Sequence, residues 1–195
     1  MNNKNTKRIF ILHRWGGNPK TDWYLWLKEE LEKKGYKVNV PEMPNTDEPD
    51  IEEWLESLTK LVGKADTDTY FVGHSIGVQA ILRYLDTLPE DAKIGGAAFV
   101  AGWHTLTGLE SAEEKEIAAP WSKDDFDFAK VKTILNKSHA LFSSDDPFVP
   151  LENEKWFADN FGSETEIVGD KGHFDEDSGN LTSPETLEAV LKITQ

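Results

Sequence analysis

The stretch from Tyr70 to Leu82 reads YFVGHSIGVQAIL, with G-H-S-I-G (Gly73 to Gly77) at its centre. A serine between two glycines, just after an apolar run and just before a helical one, suits an exposed nucleophile on a sharp turn. The pattern alone is weak, because G-x-S-x-G arises by accident at about 3 × 10⁻⁴ per position in average compositions. Its chemistry sets further requirements. A serine hydroxyl is a poor nucleophile until a neighbouring base takes its proton, and that base needs an acid to orient it. On an elbow of this kind the acid and then the histidine follow the serine along the chain.

Two later stretches meet that order. Asp145-Asp146-Pro147-Phe148-Val149-Pro150 follows the apolar run HALFSS, and Asp170-Lys171-Gly172-His173-Phe174 follows ETEIVG. Five histidines compete for the base. His139 opens its strand and so lies at the wrong end of a sheet. His74 precedes the serine and is turned away from its hydroxyl. His13 and His104 follow strand ends and stay open on position. His173 alone follows both the serine and an acid. Of the two aspartates, Asp146 is the better placed, with Asp145 a neighbour that caps the turn or is solvated.

These side chains need a scaffold, and the chain supplies one. Arg8–Leu12, Tyr36–Val40, Thr69–Gly73, Gly95–Gly102, His139–Ser144 and Glu164–Gly169 are of strand type. Amphipathic stretches separate most of them, including TDWYLWLKEELEKKG, IGVQAILRYLDTL and LENEKWFADNFG. DIEEWLESLTKLVG opens with Asp50 and Glu53 as a capping box, and the last helix opens with Ser183 as cap and Pro184 at its first position. The alternation predicts an α/β fold: a three-layer sandwich of about six mostly parallel strands with helices on both faces. Functional residues should then fall just beyond the carboxyl ends of the strands. One domain over 1–195 is expected. Residues 103–137 break the alternation and read equally as a lid over the site or a surface excursion.

With 195 residues, 38% hydrophobic and seven of them Trp, the chain can bury a sizeable core. The absence of cysteine excludes disulfides, thiolate metal sites and a cysteine nucleophile. A formal charge of −15 disfavours nucleic acid and anionic membranes as partners. The Ile9–Leu12 run is too short for a signal-peptide core or membrane insertion, so the expected location is the cytoplasm. His173, Asp175 and Asp177 are suitable metal-ligand types, but Asn180 stands where a calcium loop has glycine.

Taken together, G-H-S-I-G, D-P-F-V-P and G-H-F resemble the α/β-hydrolases. DWYLWLKEELEKKGYKVNVPEMPN, EEWLESL and VAGW extend the likeness to the small serine hydrolases of the retinoblastoma-binding protein nine and YdeN type, over essentially the whole chain. The resemblance implies a Ser75–Asp146–His173 triad acting on a small-molecule carboxylic ester or related acyl substrate, without a cofactor. A protein partner and the acyl group are left undefined by it. The Ile76 amide is the expected first oxyanion donor and that of Trp15 or Arg14 the second. Trp15, Trp103 and Phe174 are candidates for the acyl or leaving-group pocket. Many α/β-hydrolases have His-Gly after the first strand, whereas this chain reads His13-Arg14-Trp15-Gly16-Gly17. If Arg14 had to adopt a positive φ, the loop would be strained. That strain is the feature favouring a second reading, a catalytically weak binding protein on a hydrolase scaffold.

Overall fold

The computed structural model describes residues 6–195; residues 1–5, part of the expected 1–195 domain, lie outside the described residues. The strands are β1 (Arg8–Leu12), β2 (Lys37–Asn39), β3 (Thr69–His74), β4 (Gly96–Val100), β5 (Ser138–Ser143) and β6 (Glu164–Val168). They form one sheet in the order β2-β1-β3-β4-β5-β6. All five pairings are parallel, as the helix-separated strands of the sequence require.

The helices between them are α1 (Tyr24–Glu32), α2 (Ile51–Val62), α3 (Ile76–Thr87), α4 (Ala112–Trp121), α5 (Phe128–Ile134), α6 (Glu152–Phe161) and α7 (Pro184–Ile193). α1 and α7 pack together on one face of the sheet. α2, α3, α5 and α6 touch in succession on the other. Covered from both sides, β3, β4 and β5 are buried along their whole length, which is why they read as apolar runs without alternation. β6 is an edge strand with partly exposed residues, and Glu164 and Glu166 on it discourage pairing with another chain. Among the described residues, no helix is long and apolar enough to cross a membrane.

Helix starts follow the local chemistry. Asp50 accepts the Glu53 N–H at 3.0 Å, but the return arm of the expected capping box is missing, because Glu53 instead accepts from Asn45 at 2.7 Å. Ser183 caps α7, with Pro184 at its first turn.

Residues 103–137 contain α4 and α5. The α4 start carries a complete capping box, with Ser111 accepting from Glu114 N–H and the Glu114 carboxylate accepting from Ser111 N–H. The segment is anchored from below. Trp121 is buried edge-on against Trp54, with centroids 5.6 Å apart, and its indole N–H donates to Pro49 O at 2.9 Å. Arg83 of α3 reaches up to Trp121 O, Lys123 O and Asp125 at 2.9 to 3.1 Å.

The strand order fixes where a ligand can sit. After β1 the chain moves outward to β2, whereas after β3 it moves the other way to β4. The crevice outside the carboxyl ends of β1 and β3 is the switch point at which such sheets bind ligands. The loop 13–17 and Ser75 meet there.

Candidate active site

Ser75 joins β3 to α3 with φ 54° and ψ −118°, a left-handed φ that a non-glycine residue holds at a cost of about 1–3 kcal/mol. Its side chain makes no capping hydrogen bond to α3, so it does not act as a helix cap. The flanking glycines explain how the turn closes. A Cβ on Gly73 would lie 2.8 Å from the Val78 backbone, and one on Gly77 would lie 2.6 Å from Leu12 O. The first contact is across the turn and the second is with the end of β1, so both positions exclude any side chain.

Asp146 and His173 come together from the loops after β5 and β6. His173 Nδ1–H donates to Asp146 Oδ2 at 2.9 Å and lies 3.1 Å from Oδ1; a carboxylate can only accept, which assigns the proton to Nδ1. Nε2 is therefore the ring nitrogen left for the cavity that His173 shares with Ser75. Among the described residues no hydrogen bond joins Ser75 Oγ to His173, and both line the one cavity. The Asp146 side chain is 1% exposed and also accepts the N–H groups of Phe148 (2.8 Å) and Val149 (3.0 Å). Asp145 does something different. It accepts from Ser143 Oγ at 2.6 Å and from the Lys171 and Gly172 amides at 3.1 and 3.0 Å, fastening the β5 end to the histidine loop. These bonds, that from Ser143 foremost, lower its pKa.

None of the other histidines lines the cavity. His74 is fully buried; its Nε2–H donates to His173 O at 2.7 Å, and its Nδ1 accepts from Tyr24 Oη–H at 2.7 Å. Burial first, then the proximity of His173, push its pKa well down, so it stays neutral. His13 accepts the Met43 N–H at Nε2 (3.1 Å) and so donates from Nδ1 to Arg14 O (2.9 Å). His104 stacks on Trp156 at 4.5 Å and faces Asp124, away from the cavity lining. His139 lies at the start of β5, the far end of the sheet. Asp175 accepts the Ser178 N–H at 2.8 Å, closing its own turn, and no three His, Asp or Glu side chains converge on a metal position among the described residues.

The loop after β1 carries no strained arginine. Arg14 is not among the positive-φ residues; Gly16 takes that role at φ 66°. The concern about Arg14 is thus corrected: the loop places its left-handed residue two positions later. The Arg14 N–H is committed to Tyr24 Oη at 3.1 Å, which leaves the Trp15 N–H as the candidate donor from this loop. Trp15 and Ile76 both line the cavity.

That cavity has a volume of about 360 Å³. Trp15 and Trp103 line it as expected, together with Leu106, Leu109 and Phe148, which the sequence did not single out. Phe174 does not line it. Its φ of 58° reverses the chain after His173, its carbonyl accepts from the Trp23 indole at 2.9 Å, and its ring is fully buried in the core. Phe148 takes the place expected for it, with its ring edge-on to His173 at 5.2 Å. The D-P-F-V-P motif contained that signal, because a loop that delivers the acid also brings its next side chains to the base.

A family model described as serine hydrolase matches residues 9–192. The chain is 31% identical to YdeN of Bacillus subtilis (strain 168) over 180 residues, 92% of each chain. It is 27% identical to the serine hydrolase RBBP9 of Rattus norvegicus over 172 residues, 87% of each. The crystal structure of the B. subtilis ydeN gene product superposes with a TM-score of 0.87 at 29% identity, covering 96% of this chain and 98% of that one.

Proposed function

This chain belongs to the serine hydrolase family, and from that premise we propose that it cleaves carboxylic esters or related acyl bonds through Ser75, His173 and Asp146. Ser75 Oγ attacks the acyl carbon while His173 Nε2 takes the hydroxyl proton. The bond to the leaving oxygen breaks as His173 returns that proton to it, leaving the acyl group esterified to Ser75. Water then attacks the acyl-enzyme, giving a proton to His173, and Ser75 recovers the proton as the acid departs. Asp146 holds the imidazole tautomer and stabilises the imidazolium. The amides of Ile76, at the positive end of α3, and Trp15 receive the oxyanion.

The observation that carries this reading is one arrangement. A serine held at φ 54° and unused as a helix cap shares a cavity with a histidine whose other nitrogen is fixed 2.9 Å from a buried carboxylate. A helix-capping serine or a structural histidine would require none of those three features.

The cavity also bears on substrate class. Its walls are apolar at Trp15, Ile76, Trp103, Leu106, Leu109 and Phe148, while Glu114, Asp175 and Asp177 border it. The Arg14 charge is occupied by Asp22 at 3.0 Å. A short, uncharged acyl group fits these walls, and a carboxylate-bearing one meets like charge. The alternative of a binding protein without turnover rested on strain at Arg14, and that support is gone.

A panel of short p-nitrophenyl esters tests the proposal. Turnover of at least one is expected, falling by at least about 10⁴-fold in Ser75→Ala. Failure of the wild-type protein to turn over any of them would contradict it.

A further inference from the structure

Arg14 is tied to the loop that carries His173 by two separate routes. The first runs through its side chain. Nε and Nη2 donate to the two oxygens of Asp22 at 3.0 and 3.3 Å, and Asp22 Oδ1 also accepts the Glu176 N–H at 2.8 Å. The second runs through its backbone. The Arg14 N–H donates to Tyr24 Oη (3.1 Å), Tyr24 donates to His74 Nδ1 (2.7 Å), and His74 Nε2–H donates to His173 O (2.7 Å). Asp22 has a fully buried side chain and a φ of 54°, so the surrounding structure holds it in a conformation it would not choose.

The same residue fixes the peptide that follows it. Arg14 O accepts from His13 Nδ1–H at 2.9 Å and Gly17 N–H at 3.0 Å, and Arg14 Nη1 donates to Trp15 O at 3.3 Å. In a planar trans peptide the N–H points opposite the C=O, so pinning the Arg14 carbonyl aims the Trp15 N–H.

We infer that Arg14 and Asp22 are positioning residues that hold the Trp15 oxyanion donor at a fixed separation from His173. The inference rests on the triad reading above. Arg14 stands where many α/β-hydrolases carry glycine, and this chain uses the larger side chain as a strut between two halves of the transition-state machinery. The planar guanidinium fork suits a carboxylate that must be gripped by two bonds. Its engagement with Asp22 also argues against Arg14 as a substrate anchor.

The test compares wild type with Arg14→Gly, Arg14→Lys and Asp22→Asn, using p-nitrophenyl acetate and a short alkyl boronic acid. The boronate forms a tetrahedral adduct on serine whose oxygen occupies the oxyanion site. Misplacement by about 1 Å is enough to lower rates by up to about 10²-fold, so Arg14→Gly should lower kcat at least tenfold with KM within twofold. Boronate affinity should weaken by the same factor as kcat/KM, and Arg14→Lys should fall between. Where Arg14→Gly does not fold, Asp22→Asn carries the same thresholds, since it keeps an oxygen for Glu176 N–H and removes the charge. An unchanged kcat, a rise in KM alone, or unchanged boronate affinity beside a lowered kcat would overturn the inference. Loss of the triad reading is separately visible: wild type and Ser75→Ala would then show equal rates.

Discussion

The loops after β3, β5 and β6 and the 103–137 segment line one cavity but are fastened in different ways. The first group is locked at the residues of the proposed triad. Ser75 is squeezed between two glycines that admit no side chain. His173 is gripped by Asp146 at its ring and by His74 at its carbonyl. The second group is longer; Trp121 and Arg83 fasten its base, and the buried Asn153 of α6 accepts the His104 and Thr105 N–H groups at 2.7 and 2.9 Å. It presents the half-buried Leu106 and Leu109 to the cavity. Reacting groups need sub-ångström placement, whereas a pocket wall needs only shape and polarity. Left-handed φ at non-glycine residues falls on the former, at Ser75, Asp170 and Phe174, whereas buried polar bonds fasten both.

Substitutions can break that contrast in order of size. Asp146→Asn should lower kcat by about 10³–10⁴-fold, because the amide cannot hold Nδ1–H in the working tautomer. Steady-state kinetics on a short ester would show it, and a change under tenfold would mean another acid serves His173. Tyr24→Phe should destabilise the fold by about 1–3 kcal/mol, since it strips partners from the Arg14 amide and the buried His74; urea denaturation measures this. On the other wall, Leu106→Ala should shift the preference between acetyl and butyryl esters by about tenfold or more, with the melting temperature nearly unchanged. A change in kcat equal for both esters would place Leu106 with the reacting group instead.

The smallest effect separates the two aspartates. Asp145→Asn should leave kcat within tenfold and lower the melting temperature at neutral pH. The folded pKa of Asp145 is depressed, chiefly by the Ser143 hydroxyl and then the Gly172 amide. Its stabilisation is thus present above the ordinary aspartate pKa, about 3.9, and lost as pH falls through the folded value. The gap between wild type and variant should close below about pH 4, as differential scanning fluorimetry across pH would reveal.

The side of the cavity proposed to react was the more legible in sequence. Strand runs, chain order and loop placement are local signals, and they led to Ser75, Asp146 and His173 and to a parallel sheet. What sequence did not reveal depends on distant partners or on the sign of a single φ. Asp22 meets Glu176, and Tyr24 meets His74, only once α1 docks beside the histidine loop. Phe174 was expected at the pocket because it adjoins His173, and one left-handed residue sends it into the core instead. α4 was missed because its faces differ little in polarity, although Ser111 and Glu114 spelled its capping box.

Mass spectrometry after reaction with a fluorophosphonate serine probe tests the central claim most directly. The account predicts one adduct per wild-type chain, on the peptide containing Ser75, and none in Ser75→Ala. Equal labelling of both proteins, or an adduct on another residue, would contradict it.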